Sequence, residues 1–165
     1  DRVDLIMATF SKSFASIGGF VAGEFEVIDY LKHHARSLIF SASIPPAAIA
    51  TVLAALEVMK REPERRQRLW ENARFLLKGL KELGYNTGDT QTPIIPVIIG
   101  DNLTTFRFWR ELFDEGVYGN PVIAPAVPEG TARIRLSCMA IHTEAQLSFA
   151  LEKLQKVGRR MGLIP

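Results

Sequence analysis

The first forty residues alternate short apolar runs with polar and glycine-containing segments. Leu5 to Ala8 and Gly19 to Ala22 are four-residue runs, mostly apolar, of the length expected of short buried strands. Glu24 to His34 predicts a helix, and Ser37 to Phe40 predicts a further short strand. We expect these elements to complete the edge of a larger sheet that begins upstream.

The middle of the chain predicts a long helix that a proline interrupts. Pro45 suits a helix start because the N–H that proline lacks would be unpaired there in any case. Ala47 to Met59 follows as a continuous run of alanine, leucine and valine-rich helical sequence. Pro63 is expected to kink or restart the helix, which continues amphipathically from Glu64 to Leu83 and stops at Gly84.

The remainder of the chain predicts a small α+β unit. The predicted strands are Ile94 to Ile99, Val117 to Ile123 and Arg133 to Cys138, and the predicted helices are Thr104 to Glu115 and Glu144 to about Met161. Pro96 indicates an edge or bulge position because proline cannot donate to a strand ladder. Thr143 and Gln146 have the spacing of a capping box that opens the last helix. The chain as a whole is predicted to have an α/β fold.

Composition excludes several classes of function. Of the 165 residues 23% are charged and the net charge is only +2, so nothing calls for a nucleic-acid partner. Cys138 is the one cysteine, which excludes an internal disulfide and a zinc ribbon and suits a small buried apolar residue. His33 and His34 lack acidic or cysteine partners at metal-ligand spacing, so no metal is expected. No apolar run is long enough to span a bilayer.

Lys12 is the most informative residue for chemistry. It follows a predicted buried strand, has the hydroxyl residues Thr9 and Ser11 beside it, and precedes the pair Gly18-Gly19. A lysine that forms a Schiff base must lose its proton, so burial or a nearby cation is expected around it. Hydroxyl donors and close backbone approach suit a neighbouring phosphate. These residues suggest a pyridoxal phosphate (PLP) site, although a lysine after a serine is also common in solvated loops.

Two further segments contain residues that could bind a phosphate or a carboxylate. Ser41 and Ala42 precede a predicted helix start, where hydroxyls and free N–H groups either cap the helix or bind phosphate. Arg133, Arg135 and Ser137 alternate along a predicted strand and share one face. An arginine fork binds a carboxylate through two hydrogen bonds, whereas the alternative is a surface ion pair.

Three collinear segments resemble the α-oxoamine synthases, which are PLP-dependent acyltransferases of fold type I. They are Asp4 to Gly23, Phe40 to Pro46, and Gly119 to Pro128 with its continuation Arg133 to Ser137. The residues are most similar to the bacterial serine palmitoyltransferase branch of that family. Ala8 departs from it, since many members carry glycine there, and this concerns the substrate more than the cofactor.

The resemblance implies a role for each candidate residue. Lys12 would be the Schiff-base partner of PLP and then the acid–base group, with Thr9 and Ser11 beside the cofactor. Ser41 and Ala42 would reach the PLP phosphate of the other subunit in a homodimer. Arg135, and not Arg133, would bind the substrate carboxylate. By the same analogy, Asn120-Pro121 and Pro125 to Pro128 would form a wall facing the acyl substrate.

The resemblance also implies an incomplete enzyme. Residues 1–45 would be the C-terminal edge of a PLP-binding large domain, 46–84 a long kinked linking helix, and 85–165 a C-terminal small α+β domain. The parent would be a cytoplasmic enzyme that condenses serine, glycine or alanine with an acyl-CoA and releases carbon dioxide. Alone, this chain would lack a complete active site. The alternative is a non-catalytic partner subunit or dimerisation module of such an enzyme.

Overall fold

The computed structural model describes residues 3–165 and divides the chain between Pro63 and Glu64. The first unit contains β1 (Leu5–Thr9), β2 (Gly19–Gly23), α1 (Phe25–His34), α2 (Arg36–Ile39) and α3 (Pro46–Arg61). The second unit contains α4 (Glu64–Glu82), β3 (Ile94–Gly100), α5 (Asn102–Asp114), β4 (Asn120–Val122), β5 (Ala132–Ser137) and α6 (Glu144–Arg160). The prediction of an α/β protein is confirmed.

Strands β1 and β2 form an antiparallel two-stranded ribbon, with Leu5 opposite Gly23 and Thr9 opposite Gly19. Both strands form where the sequence predicts them, but the prediction that they are buried is wrong for the described chain. Met7, for example, is 71% exposed. An apolar run shows what a strand is suited to bury, whereas burial itself requires a layer that covers the ribbon, and the first unit does not supply one.

The predicted strand from Ser37 to Phe40 is also wrong, because this segment forms the short helix α2. The N–H groups of Leu38 and Ile39 both donate to the carbonyl of Ala35, at 2.9 and 3.0 Å. A four-residue apolar run has no periodicity that separates a strand from a single helical turn. Local hydrogen bonds therefore decided its conformation.

The helical region over 46–84 consists of two helices. α3 begins with Pro46 at its first position and ends at Arg61, and α4 begins at Glu64, directly after Pro63. Proline cannot donate the N–H that a continuous helix would need at this point. α3 lies in the first unit and α4 in the second. The three-part division at 45 and 84 remains a prediction.

The second unit is built on an antiparallel sheet of order β3-β5-β4. Pro96 therefore lies on an edge strand, as predicted, and β4 is shorter than the predicted strand from Val117 to Ile123. One face of the sheet packs on the helices. The core consists of Leu76, Leu80, Tyr85, Ile95, Val97, Phe108, Leu112, Val117, Ile134, Leu136, Leu154, Val157 and Ile164.

Side chains at their first turns fix the starts of α5 and α6. The Asp101 carboxylate accepts the N–H of Thr104 at 2.7 Å, and this hydrogen bond lowers the pKa of Asp101. The predicted capping box is confirmed, because the Thr143 hydroxyl accepts from the N–H of Gln146 and the Gln146 amide oxygen accepts from the N–H of Thr143. These caps define the residue at which each helix begins.

Gly158 lies where α6 crosses the buried ring of Tyr85, and we predict that this position tolerates no side chain. A Cβ atom at 158 would overlap the Tyr85 hydroxyl oxygen and lie 2.9 Å from Cζ. The hydroxyl cannot move freely because it donates to the Leu154 carbonyl at 2.7 Å. Gly158→Ala should therefore lower the free energy of unfolding by about 2 kcal/mol, as overpacking of a core does. Thermal and denaturant unfolding measure the change.

A second substitution separates overlap from loss of helix flexibility. Tyr85→Phe removes the overlapping oxygen, so Gly158→Ala should cost less in that background. Ser148→Ala, at an exposed position of the same helix, should change stability by less than about 0.5 kcal/mol. An equal cost of Gly158→Ala with and without the Tyr85 hydroxyl would contradict the proposed overlap.

Candidate functional site

The loop that carries Lys12 joins β1 to β2 and is closed by its own backbone. The N–H of Phe10 donates to the Gly18 carbonyl at 2.9 Å, and the Phe10 carbonyl accepts from the N–H of Ser16 at 2.9 Å. Inside this ring, the N–H of Ala15 donates to the Lys12 carbonyl at 3.0 Å. Lys12 therefore begins a tight turn whose backbone is held from both sides.

Phe10 anchors this loop through its side chain. It is one of the few buried hydrophobic residues of the first unit, at 7% exposure. Its ring lies edge-on to Phe14, with centroids 5.4 Å apart, and stacks on Phe20 at 5.8 Å. The Ser16 hydroxyl ties the loop to α3 by donating to the Ala48 carbonyl at 3.0 Å. The loop is thus fixed by packing as well as by backbone bonds.

Gly18 and Gly19 are required by the backbone on the return side of the loop. Gly18 has φ +97°, and a Cβ atom there would lie 2.6 Å from Cδ1 of Ile44. At Gly19 a Cβ atom would lie 2.5 Å from the carbonyl oxygen of Ala8 on the paired strand. The positive φ that the sequence indicates is present at Gly18. The close backbone approach to a cofactor phosphate stays a prediction.

The two hydroxyl groups of the loop lie together, and the residues that carry them are exposed, as is Lys12. The hydroxyl oxygens of Thr9 and Ser11 are 3.1 Å apart, and both residues are exposed. Lys12 is exposed as well, and within residues 3–165 no hydrogen bond or ion pair occupies its ammonium group. The burial expected around Lys12 is therefore not supplied by the described chain, because no layer covers the ribbon in the first unit.

Ser41 and Ala42 lie between α2 and α3 and do not cap α3. The Ser41 hydroxyl donates to the Ser37 carbonyl, and the N-cap of α3 is Pro45, which has no side-chain cap. Ala42 is exposed, and its N–H finds no acceptor among residues 3–165. Helix capping, which the sequence left open as the simpler explanation, does not account for these residues.

Arg135 lies on the outward face of β5, and the predicted alternation is confirmed. Ile134 and Leu136 point into the core, whereas Arg135 is exposed. Its Nη2 donates to Oδ1 of Asn120 at 3.3 Å, across the β4–β5 pair. No carboxylate in the described part of the chain lies within ion-pair distance of Arg135, so the alternative of a surface ion pair is not formed. Arg133 instead donates to the Thr131 carbonyl at 2.9 Å.

The structure thus groups some candidate residues and separates others. Thr9, Ser11 and Lys12 share one loop, Ser41 and Ala42 belong to another segment of the same unit, and Arg135 belongs to the second unit. The sequence does not predict the contact between Asn120 and Arg135, because the resemblance places Asn120 only in a loop wall. The cross-strand register that pairs Asn120 with Arg135 cannot be read from spacing alone.

The second unit also contains an open cavity of about 660 Å³ that is mostly apolar. It lies beside the first half of α6, and none of the residues predicted to bind cofactor or substrate lines it. Cys138 lines the cavity, and burial raises the pKa of its thiol, which favours the uncharged form.

Among residues 3–165 no group of acidic, histidine or cysteine side chains could hold a metal ion, and no helix is long and apolar enough to cross a membrane.

Comparisons with known proteins show that this chain is similar to PLP-dependent enzymes. The family Aminotransferase class I and II matches residues 1–154. Serine palmitoyltransferase of Sphingobacterium spiritivorum is 52% identical over 97% of this chain, and 8-amino-7-oxononanoate synthase of Thermosipho melanesiensis is 44% identical over 99% of it. A high-resolution structure of SPT with a PLP internal aldimine superposes with a TM-score of 0.92 at 36% identity over 98% of this chain.

These relatives are considerably longer than this chain. The chain spans 40% of the Sphingobacterium protein, 42% of the Thermosipho protein and 41% of the SPT structure. The Sphingobacterium and Thermosipho proteins carry the names of α-oxoamine synthases, the family that the motifs of this sequence resemble. The comparison therefore agrees with the resemblance over nearly the whole chain and covers less than half of each relative.

Proposed function

This chain belongs to the aminotransferase class I and II family, and from that premise we propose that it is the C-terminal part of a PLP-dependent α-oxoamine synthase. The reaction joins an amino acid to an acyl-CoA and yields an α-amino ketone, free CoA and carbon dioxide. The observation that carries the proposal is the loop that fixes the backbone at Lys12 from both sides, with the hydroxyls of Thr9 and Ser11 adjacent in sequence. Among residues 3–165 no hydrogen bond or ion pair occupies the Lys12 amine, which leaves it available to the cofactor. A non-catalytic partner subunit would have no need for this amine.

The proposed place of each segment follows the arrangement that the sequence predicts. Residues 1–45 form the last part of a PLP-binding large domain, 46–84 link it to a small domain, and 85–165 form that small domain. Exposed apolar side chains on β1 and β2 support the first assignment, because a ribbon of this kind is stable only when further layers cover it. They are Leu5, Ile6, Met7, Phe20 and Val21.

The residues of the Lys12 loop fit the proposed cofactor. Two hydroxyls 3.1 Å apart can both donate to one phosphate group, and a neighbouring amine can bond covalently to an aldehyde carbon. PLP supplies an electron sink that stabilises negative charge at the α-carbon of a bound amino acid. In this proposal Thr9 and Ser11 hold the phosphate, and Lys12 moves the proton at that α-carbon.

We assign Ser41 and Ala42 to the cofactor phosphate of a partner subunit in a homodimer. The N–H of Ala42, which has no acceptor among residues 3–165, supports this role, because a phosphate oxygen is a suitable acceptor for it. Ser41 has to release the Ser37 carbonyl before its hydroxyl can donate to the same phosphate. The dimer is then required for full cofactor affinity.

Arg135 is assigned to the carboxylate of the amino-acid substrate. Its exposed guanidinium has no carboxylate partner among residues 3–165, so its full charge is available to a ligand. A planar fork with parallel N–H groups binds a carboxylate through two hydrogen bonds.

We also place the protein in the cytoplasm, in keeping with a composition that has a single cysteine.

An assay of substrate pairs tests the proposed reaction. Serine, glycine and alanine are each combined with short and long acyl-CoAs, using the full-length enzyme that carries this chain. We expect at least one pair to release free thiol and carbon dioxide in equal amounts, and the release should require added PLP. Separate controls omit the amino acid or the acyl-CoA. Binding of PLP without thiol release from any pair would favour a non-catalytic partner subunit and reject the enzyme.

A further inference from the structure

We propose that Asn120 is a positioning residue whose uncharged amide holds the Arg135 guanidinium ready for a carboxylate without neutralising it. The inference rests on the role of Arg135 in the proposed function and goes beyond it, because it names the residue that sets the affinity of that arginine. This role concerns the substrate carboxylate and is separate from the acyl-facing wall that the resemblance implies for Asn120. Asn120 acts through Arg135.

The contacts define which amide atom faces the arginine. Arginine has five N–H donors and no acceptor, so Oδ1 of Asn120 must be the atom that lies 3.3 Å from Nη2 of Arg135. The other amide atom, Nδ2, donates to the Tyr118 hydroxyl at 3.2 Å. Tyr118, Asn120 and Arg135 thus form a short hydrogen-bonded chain. It uses one guanidinium N–H and leaves enough donors for a bidentate ligand.

The backbone holds Asn120 in place for this contact. Asn120 and Arg135 are direct partners in the antiparallel β4–β5 register. Pro121 restricts the preceding residue to extended conformations, which keeps Asn120 in the strand. A Cβ atom at Gly119 would lie 2.5 Å from Cγ2 of Ile134, so only glycine lets the chain approach β5 this closely. Gly119 and Pro121 therefore both serve the same placement of Asn120.

The absence of charge on the Asn120 amide is essential to this positioning role. An amide oxygen accepts a hydrogen bond and leaves the positive charge of the arginine unpaired. A carboxylate at the same place would form an ion pair with Arg135 and compete with the carboxylate of the substrate. Asn120→Asp changes shape very little, so it tests charge at nearly constant packing.

Steady-state kinetics of the full-length enzyme test this inference. Asn120→Asp should raise the KM for the amino acid about tenfold or more, because each competing charged hydrogen bond is strong. We expect the kcat and the KM for the acyl-CoA to stay within about threefold of the unmodified enzyme. Asn120→Ala removes only the orienting bond, so we expect a rise in the amino-acid KM of about threefold to fivefold. This variant carries the same comparison if Asn120→Asp does not fold.

The same substitutions in an Arg135→Ala background separate positioning from a structural role. There, Asn120→Ala should have no further effect on kcat/KM, and Asn120→Asp should have a smaller effect than in the unmodified enzyme, because the guanidinium on which both act is absent. An equal effect in both backgrounds would overturn the inference and indicate a structural residue. If Arg135→Ala raises the amino-acid KM and Asn120→Asp does not, the positioning role fails while the proposed function stands. An unchanged KM in Arg135→Ala would reject the role of Arg135, and this inference with it.

Discussion

Replacing Lys12 with alanine in the full-length enzyme is expected to abolish turnover and to remove the covalent link to PLP. The amine has two roles in the proposed reaction, as the covalent partner of the cofactor and as the group that moves the proton at the α-carbon. General acid–base catalysis alone contributes about 10²- to 10⁴-fold. We therefore expect kcat to fall at least about 10³-fold. Thiol release and the visible absorbance of the protein-bound cofactor measure the two roles separately.

Lys32 provides a matched control for this substitution. It is an exposed lysine of the same unit, on α1, and lies outside the Lys12 loop. Lys32→Ala should leave both the absorbance and the rate of turnover unchanged. Turnover by the Lys12→Ala protein at the unmodified rate would reject the assignment of the catalytic amine. Loss of turnover with an intact covalent link would assign that link to a different lysine.

The sequence predicted the local elements best where several signals agree. The capping box at Thr143 predicted the start of α6, and Pro63 predicted the break between α3 and α4. Glycine at Gly18 predicted the turn that the backbone needs there. Each of these depends on interactions within a few residues, which a sequence records directly. The short helix α2 was missed because a single turn carries too few positions for a period to be seen.

Burial and long-range pairing were harder to predict from the sequence. The apolar runs of β1 and β2 indicate buried strands, but exposure depends on whatever packs over the ribbon, and the described chain does not contain that layer. The contact between Asn120 and Arg135 spans fifteen positions and depends on the register of β4 against β5. A shift of one residue would turn Asn120 to the other face. Sequence spacing does not fix that register.

Replacing Arg135 with alanine is expected to lower kcat/KM for the amino acid about 100-fold or more, with most of the change in KM. The estimate follows from the loss of two charged hydrogen bonds, each of which contributes about 1.5–3 kcal/mol. The kcat/KM of Arg135→Lys should lie between those of the unmodified enzyme and Arg135→Ala, because an ammonium group keeps the charge and loses the planar fork. Kinetics with varied amino acid and saturating acyl-CoA give both constants.

Ligand binding distinguishes recognition of the carboxylate from a general loss of the site. The unmodified enzyme should bind serine more tightly than ethanolamine, which is serine without its carboxyl group. Arg135→Ala should bind serine and ethanolamine with similar affinity, because the proposed contact with the carboxylate is made by the Arg135 guanidinium. Arg133→Ala is the control on the same strand face, and its guanidinium already donates to the Thr131 carbonyl. It should retain the preference for serine. A preference that survives in Arg135→Ala and disappears in Arg133→Ala would exchange the two assignments.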